Sequence, residues 1–391
     1  MPYALPPAES KLSLRTIAAG YLPARNSFAG GLSAYLGVEC CVLADSARTL
    51  LYFLFSHLKD LAGKGRTDVL IPGYTCYSVP AAAVKAGLRV TLYDMDPATF
   101  QPDFDDVKKK ISEKTLAVVG QHLLGVRSAI GQLTRISQAS GAYCIEDSAQ
   151  LLDASAIGKQ EIQADFTIFS FGRGKPLPLG GGGAMTASGP SGLSAVSERI
   201  KNCPQNGSAK FMPIAVRFFS QPRFYWIMEK LPLGLGRTIY DPSFPVADIP
   251  RLYHNAGAAG LREIESLNDH RRLIGGIYER HLSGQTGRLP VKNQSPCVRY
   301  PILVKSNDQV GPLSMYGVRK LYPLSLCDLP ALQEKLAGAS EPTMGAREIA
   351  GRLITLPTHR YVNEPTAGDI VRQIEKRFGG DVEIVNGGAV R

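Results

Sequence analysis

Residues 166–187 read FTIFSFGRGKPLPLGGGGAMTA. Two β-prone runs, FTIFS and GAMTA, flank a segment in which Lys175 stands five residues after Ser170 and five before the run Gly180–Gly183. A lysine in such a loop is ordinarily just solvated. Pro176 opposes a helix directly after it, and no Ser or Thr follows it, so the Gly-Lys pair is not a nucleotide-binding P-loop. The neighbouring chain decides what the lysine is for.

Upstream, β-prone runs alternate with helical patterns from about residue 40 to 190. VECCVLADS leads into SARTLLYFLFSHLKDL, DVLIPG into CYSVPAAAVKAG, RVTLYDMD into FDDVKKKI, and LAVVGQHLLG into IGQLTRISQAS. AYCIEDSAQ then precedes DFTIFSF and GGAMTAS. Seven strand signals with interleaved helices predict an α/β fold with a large, mostly parallel sheet flanked by helices. From about residue 285, RYPILV, RLITLP and DVEIV read as strands beside the helical patterns LPALQEKLAG and AGDIVRQIEKRF, predicting a smaller C-terminal α+β domain. The expected divisions are an N-terminal arm at 1–30, the large domain at 31–250, a linking helix at 251–284 and the small domain at 285–391.

Composition narrows the function classes. The 391 residues are 44% hydrophobic and 20% charged, which suits a chain with a large buried core. Seven cysteines, none in a C-x-x-C pair, suggest neither zinc nor a disulfide framework, and a reducing cytoplasmic setting is expected. The start MPYALPPAESKLSLR lacks a signal-peptide pattern, and no run of about 18 apolar residues appears. A net charge of +10 favours anionic partners, but the basic residues are dispersed and no nucleic-acid motif accompanies them, so no nucleic-acid partner is expected.

In parallel sheets, ligands gather at the carboxyl ends of the strands. AYCIE runs into Asp147, TIF into Ser170, and VLI into the loop Pro72–Tyr77, so the three share one rim. Singly, each is commonplace. Together, a strand-end carboxylate, a hydroxyl and a nearby lysine match what pyridoxal 5′-phosphate needs: an amine for its aldehyde, an acid for its ring nitrogen, and donors for its phosphate.

Over roughly 28–200 and 250–378 the chain resembles the DegT/DnrJ/EryC1/StrS sugar aminotransferases, fold-type I pyridoxal phosphate enzymes. The resemblance is carried by SARTLL, IPGYTCYSVPAAAVKAG, YDMDPATF, GQHLLG, IEDSAQ, FSFGRGK with LGGGGAMT, and AAGLREIESL, in that order. It implies that Lys175 carries the coenzyme, Asp147 faces the ring nitrogen, Gln150 contacts the ring or its phenolic oxygen, and Ser170 binds phosphate. The four glycines would let backbone pass close to the coenzyme or a partner subunit. Ala47, Arg48 and Thr49 would open a helix whose N–H groups and dipole suit a phosphate.

Three departures stand out. Ala47-Arg48 replaces the Gly-Thr common in relatives, with Arg48 able to offer a bidentate phosphate contact or simply to face solvent. Cys76, beside Tyr74 and Tyr77, stands where relatives often place an aromatic residue against the ring. Pro250 falls near the Asn that relatives send across a dimer, leaving Asn255 and Arg251 as substitutes. His122 ends a predicted strand on the rim and is either a site residue or a structural one.

The resemblance further implies a homodimer with shared sites, and transfer of an amino group from an amino acid, glutamate first, to a nucleotide-linked keto-sugar for cell-surface glycan or amino-sugar biosynthesis. Two alternatives are a regulatory or catalytically altered pyridoxal phosphate protein, and an aminotransferase acting on a non-sugar ketone. Segment 205–250 mixes aromatic and basic residues, which fits a membrane-interface helix or a lid or dimer contact with buried aromatics. Pro213, Pro222 and Pro232 favour the second reading over peripheral membrane contact.

Overall fold

The computed structural model describes residues 3–9, 11–22, 27–63, 65–157, 164–189, 191–205, 212–230, 238–286, 295–337, 342–379 and 382–385. Seven strands form one sheet: β1 (Val42–Ala44), β2 (Asp68–Pro72), β3 (Arg89–Tyr93), β4 (Thr115–Gln121), β5 (Tyr143–Asp147), β6 (Phe166–Ser170) and β7 (Gly183–Ala187). Their spatial order is β1-β7-β6-β5-β4-β2-β3, and only β7 runs against its neighbours. Helices Ala47–Ala62, Ser78–Lys85, Phe104–Lys110 and Ile130–Ala139 carry the chain between parallel strands. No helix lies between β6 and β7, so the chain turns straight back antiparallel. β2 and β4 are buried at every residue, as strands covered on both faces must be.

The glycine run fixes where β7 starts. Gly180 and Gly182 have φ of 95° and 99°, in the left-handed region that glycine alone enters without strain. The Gly182 N–H donates to the Asp45 carbonyl at 2.7 Å, and the Phe171 N–H donates to the Gly182 carbonyl at 2.9 Å, stitching the ends of β1 and β6 together. A Cβ on Gly183 would stand 2.4 Å from the Ala47 nitrogen, and one on Gly181 2.5 Å from Tyr253 Cε2. Within this chain, then, the glycines admit the start of helix Ala47–Ala62 and the Tyr253 ring.

The C-terminal part is a three-stranded antiparallel sheet, β10-β8-β9, built from β8 (Arg299–Val304), β9 (Leu353–Pro357) and β10 (Val382–Ile384). Its own core joins Tyr278 of helix Ile264–Thr286 to Tyr300, Ile302, Ile354 and Leu356 of the sheet and Ile370 of helix Glu364–Phe378. That last helix follows local rules: Asn363 accepts the Thr366 N–H, Glu364 opens the first turn, and Lys376 and Arg377 occupy the last. Asp94, just past β3, accepts the Gly345 and Ala346 N–H groups at 2.9 Å each, so a large-domain carboxylate caps the helix Met344–Arg352.

In segment 205–250, residues 206–211 and 231–237 lie outside the described ones. Between them, helices Met212–Phe219 and Pro222–Lys230 break at Pro222, and Phe218 stacks on Phe224 with ring centroids 4.4 Å apart. Arg217 donates to the Leu12 carbonyl, and the Pro222 carbonyl accepts the Ala4 N–H at 3.1 Å, which ties the segment to the N-terminal arm. Among the described residues no helix is long and apolar enough to cross a membrane.

Candidate active site

β5 delivers two carboxylates to opposite faces, because side chains alternate along a strand. Glu146 turns to one face, where its Oε1 lies 2.6 Å from His122 Nε2 and its Oε2 accepts the Thr167 hydroxyl at 2.9 Å. His122 Nδ1 accepts the Ser128 N–H at 3.0 Å, so the Nε2 proton is the one donated to Glu146. Both ring nitrogens of this buried histidine are committed. His122 therefore braces the sheet from behind the rim.

Asp147 turns to the other face. It is 9% exposed, and its Oδ1 accepts the Ala149 N–H at 2.9 Å. Burial pushes its carboxyl above the ordinary range, while the Lys175 ammonium, the Ala149 N–H and His122 pull it back and Glu146 adds to the rise. A carboxylate in this position gains from a cation placed against it.

The segment after β6 brings Ser170 and Lys175 side by side. The Lys175 N–H donates to the Gly172 carbonyl at 3.3 Å, and Ser170 Oγ accepts the Gly172 N–H at 3.5 Å. A Cβ on Gly172 would stand 3.7 Å from Ser170 Oγ and 3.8 Å from Lys175 Cγ, so the two side chains flank this glycine. Gly174, with φ of 70°, completes the reversal. The spacing of Ser170 and Lys175 is thus that of a tight turn at a strand end, which puts hydroxyl and amine on the face of Asp147.

Helix Ala47–Ala62 starts at the same rim. Ser46 caps it by accepting the Thr49 N–H at 3.1 Å. Thr49 is fully buried with its hydroxyl 3.0 Å from Ser46 Oγ, so it serves the cap. The first-turn N–H groups of Ala47 and Arg48 have no intrahelical acceptor by the geometry of a helix start. The Arg48 guanidinium lies 4.1 Å from the Phe244 ring centroid, with Asp241, Cys76 and Asp45 as its charged or ionisable neighbours.

The loop after β2 reaches the C-terminal domain. The Tyr74 hydroxyl donates to the Tyr322 carbonyl at 3.1 Å and accepts the Tyr322 N–H at 2.9 Å. The Tyr77 hydroxyl does the same with Leu324, at 2.9 and 3.0 Å. Gln121 donates to the Tyr74 carbonyl at 2.7 Å and holds the loop from below. Tyr74 and Tyr77 are thus clamps between the domains. Tyr74→Phe strands a buried carbonyl and a buried N–H, and is expected to cost about 1–3 kcal/mol in denaturant unfolding.

Between the clamps, the Tyr322 side chain enters the site. Its ring centroid lies 5.3 Å from that of Tyr74 and 6.0 Å from that of Tyr77, and its phenol has Cys76 and Asp147 among its ionisable neighbours. Burial first, then Cys76 and Asp147, drive this phenol well above its ordinary pKa, which keeps it protonated. No local pattern in the sequence points to Tyr322. It arrives from a different domain.

The remaining candidates divide. Gln150 Oε1 accepts the Leu124 N–H at 2.7 Å, supporting the turn at Leu124, whose φ is 60°. Asn255 donates to the carbonyls of Gly20 at 3.3 Å and Leu22 at 2.7 Å, anchoring the end of helix Leu14–Gly20. The structure therefore gathers Asp147, Ser170, Lys175, Cys76 and the helix start at Ala47 and Arg48 on one rim. His122, Thr49, Tyr74, Tyr77 and Asn255 use their polar groups in packing. Among the described residues no cluster of His, Cys, Asp and Glu is arranged to hold a metal ion.

Known proteins resemble this chain in sequence and in fold. A dTDP-4-dehydro-2,3,6-trideoxy-D-glucose 4-aminotransferase from Saccharopolyspora spinosa is 31% identical over 273 residues, 69% of this chain and 66% of that protein. A GDP-perosamine synthase from Vibrio cholerae is 26% identical over 155 residues, 39% of this chain and 41% of that protein. The matched stretches thus span less than two thirds of either relative. Helicobacter pylori PseC, an aminotransferase involved in the biosynthesis of pseudoaminic acid, superposes with a TM-score of 0.74 over 96% of this chain and 99% of that one, at 16% identity, which shows a common fold. The profile of the DegT/DnrJ/EryC1/StrS aminotransferases matches residues 16–210, the stretch that holds Asp147, Ser170 and Lys175, and the chain belongs to that family.

Proposed function

We propose that the protein is a pyridoxal phosphate-dependent aminotransferase that moves an amino group from an amino acid, glutamate in the first instance, to the keto carbon of a nucleotide-linked sugar. The observation that carries this reading is the meeting of a buried carboxyl, Asp147, with the Lys175 ammonium and the Ser170 hydroxyl on one strand-end rim. The donor set fits the coenzyme group by group. A desolvated carboxylate suits a ring-nitrogen cation, an amine suits an aldehyde, and a hydroxyl beside a helix start suits a phosphate dianion.

Bound there, pyridoxal phosphate supplies an electrophilic carbonyl and a ring that withdraws electrons from the carbon next to the transferred nitrogen. Lys175 anchors the coenzyme and, once its amine is free, takes the proton from the donor's α-carbon as general base. Asp147 keeps the proton on the ring nitrogen, and its burial sharpens that interaction. Ser170 and the N–H groups of Ala47 and Arg48 would hold the phosphate on the rim beside Lys175. Tyr322 and Cys76 close one side of the space. The names of the relatives support a nucleotide-linked sugar as acceptor and amino-sugar synthesis as setting. A homodimer with shared sites, in the cytoplasm, belongs to the same reading.

The test is nitrogen transfer. Protein loaded with pyridoxal phosphate receives glutamate carrying heavy nitrogen and a panel of nucleotide-linked 3- and 4-keto-sugars, with mass spectrometry of the products. Heavy nitrogen in a sugar is expected. Coenzyme capture with no transfer from any donor would establish a regulatory or altered protein instead, and transfer only to non-sugar ketones would overturn the acceptor class.

A further inference from the structure

Helix Ile264–Thr286 carries Asn268 and Arg271 one turn apart on one face, and both side chains are fully buried. The Arg271 guanidinium donates from Nη1 to Asn268 Oδ1 at 3.1 Å and from Nη2 to the Pro176 carbonyl at 2.9 Å. The Asn268 amide donates in turn to the Leu152 carbonyl at 2.8 Å. Pro176 directly follows Lys175, and Leu152 stands in the loop that leaves β5 after Asp147. One guanidinium and one amide therefore join the loop of the lysine to the loop of the carboxyl. Burial pushes the Arg271 pKa down to about 10, which leaves it a cation at neutral pH, with Glu9 of the N-terminal arm favouring the charge and Arg360 opposing it. Glu9 is itself buried, and its Oε2 accepts the Arg360 N–H at 3.1 Å.

We propose that Arg271, acting with Asn268, is a positioning residue that fixes the Lys175 turn against the loop following Asp147, an inference that rests on the aminotransferase reading above. The turn needs such a support. Lys175 lies outside any helix or strand, in chain where Gly174, Gly180 and Gly182 adopt left-handed φ of 70°, 95° and 99°, and glycine-rich backbone has little stiffness of its own. On its N-terminal side the lysine is tied by its N–H to the Gly172 carbonyl. On its C-terminal side the ring of Pro176 fixes φ, so only ψ of Lys175 and ψ of Pro176 stay free between the lysine Cα and the carbonyl that Arg271 holds. An apolar side chain at 271 would avoid burying a charge but would deprive the Pro176 carbonyl and Asn268 Oδ1 of this donor. Because proton transfer is sensitive to displacements of about 1 Å, a brace of this kind acts on the rate at which the lysine amine takes the donor's α-proton.

The test combines Arg271→Lys, which keeps the charge and loses the planar fork, with Asn268→Asp, which keeps the acceptor for Arg271 and loses the donor to Leu152. Asn268→Asp carries the test alone should Arg271→Lys not fold. Glu9→Gln is the control, since it removes the charge partner and leaves both hydrogen bonds of the brace. The first readout is competitive acetylation of the full-length, coenzyme-free protein with acetic anhydride, mapped by peptide mass. The rate at Lys175 relative to the other lysines is expected to rise at least about threefold in the two brace variants, as local opening frees the turn, and to stay at the wild-type value in Glu9→Gln even if that variant melts lower. The second readout uses the loaded protein with glutamate. In the brace variants kcat is expected to fall about 10- to 100-fold with KM within about twofold, and the isotope effect of α-deuterated glutamate to rise, because proton transfer becomes the slower step. Unchanged labelling of Lys175 in the brace variants, or the same change in Glu9→Gln, overturns the proposal. Altered labelling with an unchanged isotope effect overturns it as well, since the pair would then serve the fold alone. Altered labelling in a protein whose wild type neither traps coenzyme nor transfers nitrogen would sink the aminotransferase reading and leave the brace between the two loops standing.

Discussion

Protein with Lys175→Ala, mixed with pyridoxal phosphate and reduced with borohydride, is expected to carry no coenzyme on residue 175, while the wild type carries one on the peptide that contains it. Two functions disappear with the amine: the covalent anchor, and the base that moves the donor's proton. The second alone corresponds to a fall of about 10²–10⁴-fold in transfer, and the loss of the anchor adds to it. Folding should be spared, since the lysine holds its turn through its backbone N–H to Gly172, which alanine retains. A variant that keeps half or more of wild-type transfer would remove Lys175 from the mechanism, because no proton-transfer role survives the loss of the amine.

Asp147→Asn separates stability from activity. Burial raises the Asp147 carboxyl above its unfolded value of 3.8, so the folded state binds this proton more tightly than the unfolded one. The contribution of the group to stability is therefore present below the unfolded pKa and is lost as pH rises through the folded one. At neutral pH, above the unfolded pKa, the coenzyme-free protein bears the cost of burying this carboxyl. The asparagine variant does not, and should melt above the wild type without coenzyme. Pyridoxal phosphate reverses the order: its ring-nitrogen cation compensates a carboxylate but not an amide, so the coenzyme should raise the melting temperature of the wild type more. Turnover should fall about 10²–10³-fold, the scale of removing one preorganised electrostatic partner. Equal coenzyme-induced shifts in melting temperature for the two proteins would mean that Asp147 does not face the ring.

What was legible in the sequence follows the range of the interactions involved. The seven strands and the trio Asp147, Ser170 and Lys175 could be read because each is a strand end or a turn, set by residues a few positions away. The alternation that sends Glu146 and Asp147 to opposite faces is equally local. His122 was ambiguous because its place on the rim is local, whereas the Glu146 carboxylate that captures its ring belongs to another strand. The use of Asn255 on Gly20 and Leu22 depends on the N-terminal arm returning over more than 230 residues. Tyr322 leaves no trace, since it stands in no motif and its meaning comes from the docking of the second domain on Tyr74 and Tyr77. The glycine run reads locally as room for a close approach, and within the chain Ala47 and Tyr253, remote in sequence, stand against Gly183 and Gly181.

The clamp at Tyr322 has a consequence for how such a site can diversify. Tyr74 is bound by the backbone carbonyl and N–H of residue 322, whereas Cys76 and the neighbourhood of Asp147 are reached by its side chain. Any residue at 322 other than proline supplies the same backbone pair. Mutation there can reshape the wall of the reaction space while the seam between the domains keeps its hydrogen bonds, so the toll of selection for a new substrate falls on the packing of one buried ring.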